Sequence, residues 1–106
     1  MRRFASVALL AASVVLSADN ARAASTDVDA AEALFSEARD LIASGRFHEA
    51  CAKLEASNAI DPGIGTMFNL ARCYELDGRV ASAWRMYTRV ASLAMKGLHR
   101  SLTKNV

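Results

Sequence analysis

Apolar residues recur in steps of three and four along most of this 106-residue chain. Ala31, Leu34, Phe35, Ala38, Leu41 and Ile42 form one stripe, and Phe47, Ala50, Cys51, Leu54 and Ile60 form a second. Met67, Phe68, Leu70, Ala71 and Tyr74 form a third, and Val80, Ala83, Trp84, Tyr87, Val90, Ala91 and Ala94 form a fourth. That period is the mark of a helix with one buried face. The breaks between stripes have their own chemistry. Ala43-Ser44-Gly45-Arg46 interrupts the first two, with Gly45 suited to a left-handed helix stop. Asp61-Pro62-Gly63 ends the second, because a residue before proline avoids the helical region. The third stripe stops near Gly78, and the fourth runs on to about Gly97. Thr26 is placed to cap the first helix, with Asp29 three residues on in a capping-box-like position. Four helices of about 13 to 18 residues with short links predict an all-α fold of antiparallel neighbours.

The pattern also repeats. A shift of 33 places Phe35 on Phe68, Ala38 on Ala71, Arg39 on Arg72, Gly45 on Gly78, Arg46 on Arg79 and Ala50 on Ala83. Leu34 meets Met67, Leu41 meets Tyr74, Phe47 meets Val80 and Leu54 meets Tyr87. Each copy therefore reads as a helix pair. Ala38, Ala50, Ala71 and Ala83 are expected where paired helices approach closely, because a larger side chain would push them apart. Phe47, Leu54, Tyr74, Tyr87 and Trp84 are expected to supply the bulk around them.

These residues carry a family resemblance. Met67-x-x-Leu70-Ala71-x-x-Tyr74 and Ala83-x-x-x-Tyr87 resemble the tetratricopeptide repeat (TPR) pattern, as do Ala38, Leu41, Gly45, Phe47, Ala50, Leu54 and Pro62 in the first copy. Asp61-Pro62, Asn69-Leu70-Ala71, Cys73-Tyr74-Glu75 and Gly78 to Trp84 are similar to a group of exported bacterial TPR proteins. The resemblance covers residues 31–95. It implies an α-α superhelix of two repeats over residues 27–97, with copies at about 31–63 and 64–97 and a basic tail at 98–106. The chain departs from the family in four ways. The spacing is 33 rather than about 34. Glu37 stands where an apolar residue is usual. No proline follows the second copy. No third repeat or capping helix is present, so a natural truncation is one expectation.

The first two dozen residues belong to a different class. Met1-Arg2-Arg3 is a short positive start, Phe4 to Ala18 is free of charge, and Ala21-Arg22-Ala23 presents small residues at the positions a signal peptidase reads. Residues 1–23 are therefore expected to be a cleaved signal peptide, and the protein periplasmic or secreted. The apolar run is shorter than the roughly 20 residues of a membrane-spanning helix. No membrane span is expected after cleavage.

Composition then narrows the function classes. The chain has 13 basic and 11 acidic residues, without the excess of positive charge that a nucleic-acid binder of this size shows. Cleavage after Ala23 would remove Arg2, Arg3, Arg22 and Asp19 and leave ten of each sign. Their distribution is uneven: Gly78 to Val106 holds six bases and no acid. Such a dipole can steer a charged partner or favour head-to-tail association.

Candidate chemistry is sparse. Two cysteines and two histidines are too few for a zinc module, and no metal or cofactor is expected. His48 and His99 join no nucleophile motif, and there is no glycine-rich phosphate loop. An enzyme is not expected. Cys51 and Cys73, 22 residues apart on adjacent helices, read either as a disulfide suited to an oxidising compartment or as two buried thiols. The TPR resemblance implies a concave groove lined by Phe35, Arg39, Ile42, Phe68, Asn69, Arg72 and Glu75. Two guanidinium groups can hold a carboxylate or phosphate while the phenyl rings grip an apolar side chain; the same stripe can equally be core with a solvated face. The expected activity is binding of a protein or peptide partner in that groove. The alternatives are self-association through Tyr87, Val90, Ala91 and Ala94 of the last helix as a homodimer, or a truncated repeat remnant without independent function.

Overall fold

The computed structural model describes residues 26–105; the expected signal peptide and its cleavage site lie outside the described residues. The described residues hold four helices and no strand: α1 over 26–43, α2 over Phe47–Ile60, α3 over Ile64–Leu76 and α4 over Val80–Lys104. The fold class is all-α. Thr26 is already helical, so what precedes the first turn of α1 lies outside the described residues.

The chain reverses between helices in three-residue links. Ser57 near the end of α2 donates its hydroxyl to the Ala31 carbonyl early in α1 (2.8 Å), and Lys53 pairs with Glu37 at 3.0 Å. The His48 ring at the start of α2 donates to the Asp77 carboxylate just beyond α3 (3.1 Å). α2 therefore runs antiparallel to both α1 and α3. Glu37, an anomaly in the sequence pattern, is an exposed charge satisfied from the neighbouring helix.

The 33-residue repeat recurs in the backbone. Gly45 and Gly78 have φ of 78° and 76°, the left-handed region that glycine enters without a Cβ penalty. Gly45 N–H donates to Ile42 O and Arg46 N–H to Leu41 O; Gly78 N–H donates to Glu75 O and Arg79 N–H to Tyr74 O. Each bond in one copy maps onto its partner in the other, and both sets make the Schellman closure that satisfies the last carbonyls of a helix. The link between copies works differently. Asp61 takes extended angles ahead of Pro62 (φ −135°, ψ 86°), which stops α2 at Ile60.

The core lies along the α2–α3 seam. Ala38, Ala50, Cys51, Leu54, Leu70, Cys73, Tyr74 and Ala83 pack into one cluster, with Phe35, Leu41, Ile42, Met86 and Tyr87 against it. The four repeat alanines are buried, three of them completely. Cys51 and Cys73 are joined by a disulfide across this seam, with their Cα atoms 5.5 Å apart.

Two features differ from the sequence expectation. Trp84 supplies no core bulk: it is 69% exposed, whereas Cys51, one repeat earlier, is 0% exposed. The reason is position. α3 covers the face of α2 that holds Cys51, and no helix among the described residues covers the corresponding face of α4. The last helix also does not stop at Gly97. It continues to Lys104, so the segment expected as a basic tail is helical through that residue. A glycine inside a helix costs only about 1 kcal/mol, and Gly97 takes no left-handed angle.

One polar cluster pins α2 to the α3–α4 corner. Tyr74 Oη donates to Glu55 (2.6 Å), Arg79 lies over the Tyr74 ring at 4.3 Å, and Arg79 pairs with the same carboxylate at 3.5 Å. Burial, followed by the Glu55 hydrogen bond and charge, pushes the Tyr74 phenol up to about 12. The folded state thus favours the neutral phenol. This contribution to stability is intact below pH 10 and is lost as pH rises from about 10 to about 12. Tyr74→Phe is expected to flatten the fall in melting temperature across that window; an unchanged slope would place the dependence elsewhere.

Candidate functional site

α1 and α3 lie side by side and leave an open groove between them. Its first section is a cavity of about 350 Å³ lined by Phe35, Arg39 and Ile42 from α1 and by Asn69, Arg72 and Leu76 from α3. A second cavity of about 320 Å³ shares Phe35 and Asn69 with the first and adds Glu32, Asp61 and Thr66 toward the other end. The groove therefore carries two guanidinium groups at one end, two carboxylates at the other, and a ring and an amide between them.

The local reason for this arrangement is helical period. Phe35, Arg39 and Ile42 fall at steps of four and three, one face of α1. Asn69, Arg72 and Leu76 fall at steps of three and four on α3. Arg39 and Arg72 are exposed, and neither is in an ion pair among the described residues. Asn69 spends one N–H on the Gly65 carbonyl of its own helix (2.8 Å). Its side-chain oxygen has no protein partner among the described residues, so the amide can still accept a hydrogen bond.

Five of the seven residues expected in the groove are brought together: Phe35, Arg39, Ile42, Asn69 and Arg72. Phe68 and Glu75 are not. Phe68 makes an edge-on contact with the Tyr87 ring (centroids 5.8 Å apart), and Glu75 accepts a hydrogen bond from Tyr87 Oη at 3.0 Å. Both side chains grip α4. Partial burial and the Glu75 carboxylate push the Tyr87 phenol above its usual value, while the Arg72 charge pulls it the other way. Leu76 takes the place expected for Glu75. The 33-residue shift predicted the same face for both copies, but α3 must also pack on α4, and its groove face sits about one residue further round. The pairing of Asn69 with Leu76 at seven residues was the available signal.

His48 is an exposed surface group held by Asp77, away from the groove. Among the described residues, no group of three or more His, Cys, Asp or Glu side chains is arranged to hold a metal ion, and no helix is long and apolar enough to cross a membrane. The face of the last helix expected for self-association is also redrawn. Tyr87 and Val90 are half-buried, while Ala91 and Ala94 are exposed.

Comparison with family models, with curated proteins and with solved structures finds no match to this chain.

Proposed function

We propose that this chain is an exported, TPR-like binding module that holds a peptide segment of a partner protein in the α1–α3 groove. The observation that carries the reading is the convergence of Phe35, Arg39 and Ile42 with Asn69, Arg72 and Leu76 on one open cavity. Unpaired arginines beside an apolar wall suit a carboxylate next to an apolar side chain. The Asn69 amide matches a peptide group, which both donates and accepts. Arg39, Arg72 and Asn69 hold an anion and an amide rather than attack either, so the reading assigns binding and no catalysis. The exact repeat of the helix stops and the buried alanines supports a two-repeat helical-pair architecture. The charge-free run Phe4 to Ala18, followed by Ala21-Arg22-Ala23, supports export.

Selection from a random peptide library tests this. Selected sequences are expected to share an acidic group flanked by an apolar residue. Arg39→Gln together with Arg72→Gln is expected to weaken a selected peptide by roughly 100-fold or more, since each charged hydrogen bond contributes about 1.5–3 kcal/mol. Both positions are exposed, so the melting temperature should not move. Peptides without a common acidic group, or binding indifferent to the double substitution, would count against the groove.

A further inference from the structure

We propose that the outer face of α4 docks on an anionic lipid surface. Val80, Trp84, Met95, Leu98 and Leu102 fall within an arc of about 60° around the helix, and each is between 54% and 70% exposed. Arg85, Arg89, Lys96, Arg100 and Lys104 lie on the opposite side of the helix, and Val80–Lys104 contains no acid. The body of the protein covers a different side of α4, through Ala83, Met86 and Tyr87. A helix with a tryptophan-bearing apolar stripe on one side and cations on the other has the composition of one that lies in a membrane interface.

The repeat accounts for only part of this face. A shift of 33 carries Ile60, the end of α2, onto Leu93. Residues 94–104 have no helical counterpart in the first copy, and all are exposed. A second copy of the chain fits the stripe poorly. Pairing α4 with α4 would cover the stripe but leave the cations on the far side of each helix without an anionic partner, since neither helix carries an acid. Pairing α4 with another copy's α1 would set Glu37 and Asp40, the repeat counterparts of Leu70 and Cys73, toward Trp84. A lipid surface takes both features together: the stripe enters the acyl boundary, while the long basic side chains reach the phosphates. The helix would lie on the membrane, since it is not apolar enough to cross it.

Trp84 is the only tryptophan in the chain, so its emission reports on α4 even with the N-terminal apolar run present. The full chain is titrated with vesicles of equimolar phosphatidylcholine and phosphatidylglycerol, and with phosphatidylcholine alone. The expected result is a blue shift and quenching by bromine-labelled acyl chains with the anionic vesicles. Lys96→Gln with Arg100→Gln is expected to weaken partition on the order of thirtyfold. Leu98→Glu with Leu102→Glu is expected to abolish the shift; all four sites are exposed and outside the core, so the melt should be unchanged. Unchanged emission with anionic vesicles, or an equal shift with neutral ones, overturns the proposal. So does a lipid-free blue shift that grows with protein concentration alongside a doubled mass, which would show that a second copy covers the stripe.

Discussion

Leu54→Ala is expected to remove about 2–5 kcal/mol of folding stability. Leu54 is 1% exposed on α2, the helix that touches both of its neighbours, and it sits in the cluster with Ala38, Cys51, Leu70 and Tyr74. Truncation leaves a cavity that the surrounding alanines cannot fill and the disulfide keeps from collapsing. A domain of this size has only about 4–12 kcal/mol in total, so the variant should be close to half-unfolded under mild denaturant. Leu54→Met keeps the volume and should cost less than about 1.5 kcal/mol. Urea melts of the two variants check this. Equal midpoints would mean that the seam is not the core.

Reduction of the Cys51–Cys73 bond is the second large effect. The bond closes a loop with a sequence separation of 22 residues. Loop-closure entropy assigns it roughly 3 kcal/mol, chiefly by restricting the unfolded chain. For a domain of under 100 residues, that converts to a fall in melting temperature of about 12–24 °C. Cys51→Ala with Cys73→Ala should give a similar fall, and a reducing agent should then have no further effect. Both sulfurs belong to fully buried residues. Reduction of the native protein should therefore be slow without denaturant and fast with it. A melt insensitive to reductant would show that the helices hold the seam without the bond.

Much of the fold is legible in the residues, for physical reasons. Gly45 and Gly78 mark helix stops because only glycine enters the left-handed region cheaply, and both do so. Pro62 restricts Asp61 and ends α2. The small residues at Ala38, Ala50, Ala71 and Ala83 mark close helix contacts because nothing larger fits. Other features depend on what neighbours a helix, which its own period does not state. Trp84 has the spacing of a core residue, yet the covering helix that protects Cys51 has no counterpart at α4. Phe68 and Glu75 share a helix with Arg72, but α4 draws them to itself. Gly97 resembles a stop, but without a left-handed angle it is only a weak point within a continuous helix. The groove is thus readable as a face on each helix, while the turn of α3 that exchanges Glu75 for Leu76 requires the third dimension.

The two surfaces lie on different helices and need not compete. A module lying on a membrane through α4 would present the α1–α3 groove to a partner at the same surface. The arginine end and the Glu32–Asp61 end would then orient an extended peptide by its own charges.

The most direct test of the binding account is a backbone chemical-shift titration of the disulfide-bonded protein with a library-selected peptide. It is repeated with the peptide's acidic group amidated. The account predicts perturbations confined to Phe35, Arg39 and Ile42 on α1 and to Asn69, Arg72 and Leu76 on α3, largely lost on amidation. Perturbations that map to α4 instead, or that persist undiminished after amidation, would contradict it.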